Sequence, residues 1–318
     1  MTSKPKISII IPVFNCEKLV PFTLNSILEQ SFSDWECILI DDNSTDNVLE
    51  ILYKFQKRDK RFIVFKKPRE LTQGANVSRN FGFSKSKGEY IKWFDCDDMM
   101  LPNHLELIYD TLIEKDIDFV VSDSVNFENE SNKIIGKPYE FDRSKAVITP
   151  ENLALNKIGW ITDDFFVRKE ALNNIKFNEE ISSIGDEYNF FVRFLHFNIN
   201  GIFIENVLTH RRIRPNSITN TKLKNLNEHL IRIAFLKYLT ANDLILYGNR
   251  ELIRWFLSGY MQCSLSLARN KKLVPYKIDA FKLILKYYSS TKGMAFLLAL
   301  FLSKYLKKGY RIMKYARS

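Results

Sequence analysis

Between residues 7 and 94, short apolar runs suited to strands (7–13, 36–41, 62–65 and 90–94) alternate with stretches of helical apolar spacing (19–30, 48–57 and 75–86). This alternation constrains the chain more than any single motif does, because it demands a parallel sheet with crossover helices packed against it. The runs are apolar at nearly every position, as strands covered on both faces must be. A helix over 102–115 and a strand over 118–122 continue the rhythm. In such a sheet, ligands bind beyond the carboxyl ends of the strands. There the sequence places Asn15, Asp41-Asp42 and Asp95-Cys96-Asp97-Asp98, each directly after an apolar run.

Past Ser122 the rhythm weakens through a polar stretch to Pro150, and a helix begins near Asp186. Beyond about residue 220 the apolar spacing is helical, over 226–239 and 244–267. The expected organisation is an α/β domain over 1–219 and a helical, basic region over 220–318. Net charge is +10, yet residues 252–318 hold fourteen Lys or Arg against the single acid Asp279, so the basicity belongs to the tail. Cys16, Cys37, Cys96 and Cys263 are scattered, with no CxxC pair to suggest a zinc knuckle or a disulfide framework. The polar start and the apolar run broken at Pro12 do not read as a secretory signal. The longest apolar stretch, 294–302, is about half of what a bilayer-spanning helix needs. The expectation is a cytoplasmic protein.

Three acids within Asp95-Cys96-Asp97-Asp98 repel one another, and a strand end gains nothing from them unless a cation is present. Hard divalent ions such as Mg²⁺ or Mn²⁺ take one or two carboxylates together with phosphate oxygens. The duller reading is a solvated loop in which Asp97 or Asp98 caps the following helix. Asp41-Asp42-Asn43-Ser44-Thr45-Asp46 also reads as a capping turn, or as acceptors for a base or ribose. In Gly74-Ala75-Asn76-Val77-Ser78-Arg79-Asn80-Phe81-Gly82, a helix N-terminus and Arg79 suit a diphosphate or a binding-site carboxylate, unless Arg79 merely lies on an exposed face.

Pro12-Val13-Phe14-Asn15, Asp41-Asp42-Asn43-Ser44, Ser78-Arg79-Asn80 with Gly82, Gly88-Glu89-Tyr90-Ile91 and Asp95-Cys96-Asp97-Asp98 occur in the order that resembles the family-2 glycosyltransferases of the GT-A fold, over roughly residues 5–218. The resemblance implies a Rossmann-like, mostly parallel sheet, with residues 1–123 holding a nucleotide-sugar donor, UDP by the family's habit, and 124–219 facing the acceptor. It implies that Pro12, Phe14 and Glu17 border the base pocket, that Asp42 contacts the base, that Arg79 serves the donor site and that Asp95 lies by the ribose. Asp97, with Asp95, matches the ligands of a Mn²⁺ or Mg²⁺ ion that offsets charge on the departing diphosphate.

The family's catalytic base sits at an acidic pair opening a helix, which here is Gly185-Asp186-Glu187-Tyr188, so Glu187 takes the role with Asp186 as the alternative. Two acids in a first helical turn are also what the helix dipole welcomes. In Leu208-Thr209-His210-Arg211-Arg212-Ile213-Arg214-Pro215-Asn216-Ser217-Ile218, Arg212 matches the family's arginine, and Arg214 stands where a histidine is usual. Both are expected to meet the donor. His104 and His196 fall in helical patterns and are assigned no chemistry.

The resemblance further implies an inverting hexosyl- or N-acetylhexosaminyl-transferase acting on a glycan or lipid-linked acceptor. Nucleic acid is not an expected partner. The alternating Lys/Arg and aromatic residues of 270–318 point to peripheral contact with the inner face of the cell membrane, against a polyanion-binding surface or a plain helical cap. A sugar-nucleotide-forming nucleotidyltransferase is disfavoured because the first strand is followed by no glycine-rich loop. A noncatalytic sugar-nucleotide binder remains a rival because Glu187 replaces the usual Asp.

Overall fold

The computed structural model describes residues 4–181, 185–214 and 225–318, the side chain of Asp186 excepted. It divides into two compact units, Met1–Ser182 with Phe190–Arg214, and Ser183–Asn189 with Pro215–Ser318.

In the first unit, β1 (Ile7–Val13), β2 (Trp35–Asp41), β3 (Phe62–Lys66) and β4 (Tyr90–Trp93) pair in parallel in the order β3-β2-β1-β4. Three crossover helices connect them, α1 (Val20–Leu28), α2 (Val48–Arg58) and α3 (Ala75–Lys85). The apolar runs are continuous because both faces are covered: Ile7, Ile9 and Ile11 join a core with Leu24 and Ile27, while Ile10 and Ile40 face α3. Each such side chain contributes about 1.5–3 kcal/mol by burial. A Cβ at Gly82 would lie 2.5 Å from the Ile10 side chain, so only glycine lets α3 approach the sheet this closely.

Beyond β4 follow β5 (Met99–Met100), α4 (His104–Glu114), β6 (Phe119–Glu128), β7 (Ile134–Gly136), α5 (Pro150–Ala154), β8 (Phe165–Arg168), α6 (Asp186–Phe194) and β9 (Gly201–Ile213). They extend the sheet in the order β4-β8-β6-β9-β5, with β7 on β6. β8 runs antiparallel to both β4 and β6, β9 runs parallel to β6, and β5 is antiparallel to β9. β6 continues past Ser122, where polar residues suggested an end, because the buried carboxylate of Asp123 is neutralised by Arg143 at 2.7 Å and Lys137 at 2.5 Å.

The second unit comprises the first residues of α6 and the helices α7 (Leu226–Asp243), α8 (Arg250–Arg269), α9 (Lys277–Tyr287), α10 (Ser290–Leu306) and α11 (Tyr310–Arg317). The single helix expected over 244–267 is broken. Leu244–Tyr247 form a 3-10 turn, Gly248 adopts a left-handed backbone with φ 69°, and Asn249 caps α8 by accepting from the Leu252 N–H. Tyr238 of α7 stacks on Tyr276, and the Tyr260 hydroxyl donates to the Pro275 carbonyl at 2.6 Å. Among the described residues, no helix is long and apolar enough to cross a membrane.

Candidate active site

The polar tips of β1, β2 and β4 are tied into one assembly. Asn15, in a left-handed conformation with φ 47°, accepts from the Thr45 N–H through its side-chain oxygen at 2.8 Å. Glu17 accepts from the Asn47 N–H at 2.9 Å, so this carboxylate pins the loop after β2 to the loop after β1. Pro12 is half-buried beside them, and Phe14 is exposed, with 45% of its surface open.

Asp42 is buried just past β2. It accepts from the Gly74 N–H at 2.8 Å and pairs with the ammonium of Lys67, a wholly buried side chain that also donates to the Thr72 carbonyl. No motif marks Lys67 in the sequence, where it is the second of two lysines after an apolar run.

Beyond β4, Asp95 is gripped from two sides. The Arg79 guanidinium donates to its carboxylate at 3.0 Å, and its own N–H donates to the Asp163 carboxylate at 3.0 Å. Arg79 is buried, with Phe177 5.3 Å beneath its guanidinium, so it is no exposed face residue. Asp98 is buried and accepts from the Arg212 N–H at 2.8 Å, and it does not cap α4. Asp97 faces Arg214, to which it is ion-paired. Arg212 spends its guanidinium on protein acceptors, the Asp97 carbonyl at 2.8 Å and Asn129 at 2.9 Å, and lies 4.6 Å over the Phe127 ring. It thereby braces the loop that carries Asp97 and Asp98.

Asp163, in the 3-10 turn Thr162–Asp164 before β8, is the carboxylate that sequence reading missed. Because β8 is antiparallel to β4, with Lys92 opposite Phe166, the residues entering β8 lie beside those leaving β4. The available signal was an acidic pair, Asp163-Asp164, directly before an apolar run. One oxygen each of Asp95, Asp98 and Asp163 lie within 4.8 Å of one another. Burial, and then the negative neighbours, push the Asp98 and Asp163 carboxyls well above the usual carboxylate range. Carboxylates held this close, Asp98 and Asp163 both buried, are favourable only with a proton or a cation between them. Asp163 also keeps a buried oxygen, Oδ2, that receives no hydrogen bond. These are the features expected of residues that fit a hard cation. Lys92, beneath them, is lowered to about 8 by burial, and the adjacent Asp164 is raised to about 7 by the same cause.

Glu187 lies in the first turn of α6, half-buried and within the second unit. In that unit Tyr188 meets Phe256 edge-on at 6.0 Å, and the Asn189 amide donates to Asp243 at 3.0 Å. The side chain of Asp186 and residues 215–218 of the closing motif lie outside the described residues. His104 is a core residue whose Nδ1 is 2.8 Å from the Leu208 carbonyl.

Residues 8–175 match the model of glycosyl transferase family 2. The chain belongs to this family. Among curated relatives it is 38% identical over 122 residues to glycosyltransferase GlyG of Streptococcus pneumoniae, a match spanning 38% of this chain and 40% of GlyG. To the GalNAc(5)-diNAcBac-PP-undecaprenol beta-1,3-glucosyltransferase of Campylobacter jejuni it is 28% identical over 84% of this chain and 85% of that protein. Of solved structures, residues 1–349 of S. aureus TarS in complex with UDP superpose with a TM-score of 0.63 at 18% identity, covering 98% of this chain and 89% of that one. The mannosyltransferase PcManGT of Pyrobaculum calidifontis, in complex with GDP-Man and Mn²⁺, gives 0.56 at 15% identity over 96% and 89%. These likenesses establish the GT-A fold, and the family assignment makes the chain a glycosyltransferase.

Proposed function

We propose that this family-2 enzyme transfers a hexosyl or N-acetylhexosaminyl residue from a UDP-sugar, with inversion, to a hydroxyl of a lipid-linked glycan in polysaccharide synthesis. The observation that carries the reading is the convergence of Asp95, Asp98 and Asp163 beside Asp97 at the tip of β4. The glucosyltransferase activity on an undecaprenol-linked glycan named for the Campylobacter relative supports the acceptor class, and the UDP complex of TarS supports the nucleotide.

In this reading Pro12 and Phe14 border the base, and Asp42, oriented by Lys67 and the Gly74 N–H, accepts from it. Glu17 acts by holding the two loops together. Arg79 keeps Asp95 turned toward the ribose and the ion, and Arg214 offers a cation to the diphosphate when it leaves Asp97. Mn²⁺ or Mg²⁺ would be held by Asp95 and Asp97, with Asp98 and Asp163 as further oxygen donors, and would supply Lewis-acid relief of the charge on the departing diphosphate. Glu187 takes the acceptor proton, with Asp186 as its alternative.

The C-terminal helices support peripheral contact of 270–318 with the inner face of the cell membrane. α10 buries Phe296, Ala299 and Leu300, yet it also exposes a second apolar stripe, Met294, Leu298, Phe301 and Tyr305, each with about half or more of its surface open. An apolar face left open beside lysines is what an anionic bilayer surface accepts. Flotation with phosphatidylglycerol vesicles should lose the Leu298→Ser/Phe301→Ser variant, and unchanged flotation would remove the membrane contact.

A screen of nucleotide sugars for Mn²⁺-dependent release of UDP tests the donor, and product NMR tests inversion. Glu187→Gln and Asp97→Ala should each abolish transfer. Two variants as active as the parent protein would overturn the assignment of these residues.

A further inference from the structure

We infer that the cleft bounded by the C-terminal ends of α8 and α10 and by α11, built wholly within the second unit, is a binding site for a phosphate-bearing ligand. Its volume is about 460 Å³, and its walls carry Arg269, Lys307, Lys308, Lys314 and Arg317. No Asp or Glu side chain lines it. The one acid in 252–318, Asp279, is paired with Lys282 at 2.9 Å. Gathering five cations around a concave surface costs repulsion that folding does not recover, and a multivalent anion is the partner that offsets it.

The backbone is shaped to bring these cations together. Lys307 ends α10 in a left-handed conformation with φ 58°, and the Lys308 N–H closes the turn on the Leu302 carbonyl at 3.2 Å. Gly309 follows with φ 110°, and a Cβ there would lie 2.6 Å from the Ala299 carbonyl oxygen, so α11 folds back closely on α10. A left-handed lysine is disfavoured, yet here it aims the Lys307 ammonium across to α8, where it meets the Arg269 carbonyl. Arg317 is held over the cleft by its bond to the Ser258 hydroxyl at 3.1 Å. Buried Met313 and Ser303 close the base of the cleft. The cavity falls within the size range of ligand pockets, and arginine and lysine in one concavity are the residues that recognise phosphate. The inference rests on the second unit alone and does not depend on the transfer chemistry proposed above.

The phosphate has two possible sources, a lipid headgroup or a soluble phosphorylated compound, and two probes separate them. The whole chain, in buffer with a chelator, is titrated calorimetrically with inorganic diphosphate, and is separately co-sedimented with phosphatidylcholine vesicles with and without phosphatidylglycerol. Arg269→Gln/Lys308→Gln/Lys314→Gln should weaken diphosphate binding by about tenfold or more. Lys272→Gln/Lys277→Gln/Lys286→Gln, matched in charge but outside the cleft, should weaken it by less than about twofold. All the lysines and the arginine replaced are exposed or at the surface, and thermal melts check that both triple variants fold. If the source is lipid, diphosphate displaces the protein from phosphatidylglycerol vesicles, and the cleft variant no longer sediments. If it is soluble, diphosphate binds and vesicles do not compete. Equal weakening by the two triple variants, or no binding of either probe by the parent protein, overturns the site. The stripe variant Leu298→Ser/Phe301→Ser should bind diphosphate normally, so failure of the membrane contact and failure of the cleft are read apart.

Discussion

Asp163→Asn tests the carboxylate cluster most directly, because asparagine keeps the shape and the acceptor for the Asp95 N–H while removing the charge. Two full charges 4.8 Å apart, the outer separation within the cluster, repel by roughly 3.5 kcal/mol at an effective dielectric of 20. The Asp98 share counts nearly in full because that group is buried, whereas the Asp95 share is discounted because its carboxylate is 43% exposed. Protonation caps the cost and the lost attraction to buried Lys92 offsets part of the gain, so the neutral side chain should stabilise the metal-free protein by about 1–2 kcal/mol, a rise of a few degrees in Tm. The same change should remove most of the Mn²⁺-induced stabilisation, which for an intact site is about 2.7 kcal/mol at a hundredfold excess over Kd. Differential scanning calorimetry with EDTA, and then with Mn²⁺, reads both quantities. A metal-free Tm that falls, or a Mn²⁺ response equal to that of the parent protein, would refute the view that these carboxylates are gathered for a cation.

The comparison should also depend on pH with a defined sign. A carboxyl raised by folding, as Asp163 is, contributes stability that is full below the ordinary carboxylate range and is lost as pH rises toward its folded value. The advantage of Asp163→Asn in EDTA should therefore widen from pH 5 to pH 8, and taking the difference cancels the opposite contribution of buried His104; a gap constant across that range would contradict it. Lys67→Met should cost about 3–5 kcal/mol in urea unfolding by stranding the Asp42 charge, and adding Asp42→Asn should recover much of it. A Lys67→Met protein as stable as the parent would show that the pair is solvated.

The parallel half of the sheet was legible because strand and helix periods differ and the strand tips are marked by Asn15, Asp41-Asp42 and Asp95 to Asp98. Its antiparallel continuation was not, since nothing local to Thr162-Asp163-Asp164 says which strand it will lie against. For the same reason nothing in the sequence ties Asp163 to Asp95, 68 residues earlier. Glu17 and Arg212 each have protein partners, which hydrogen bonds reveal and residue type does not. The break at Gly248 hid in an apolar pattern that runs through it, because the backbone and not the side chains changes there.

The seam between β4 and β8 has a consequence for assembly. One carboxylate of the candidate cation cradle, Asp163, arrives only when a distant segment closes back on the first βαβ layers, a step whose entropic cost precedes any reward from contact. A chain halted before residue 163 would carry β1 to β4 and lack Asp163, so its response to Mn²⁺ should be weaker than that of the whole chain, and the metal would then report when the two halves of the sheet have joined.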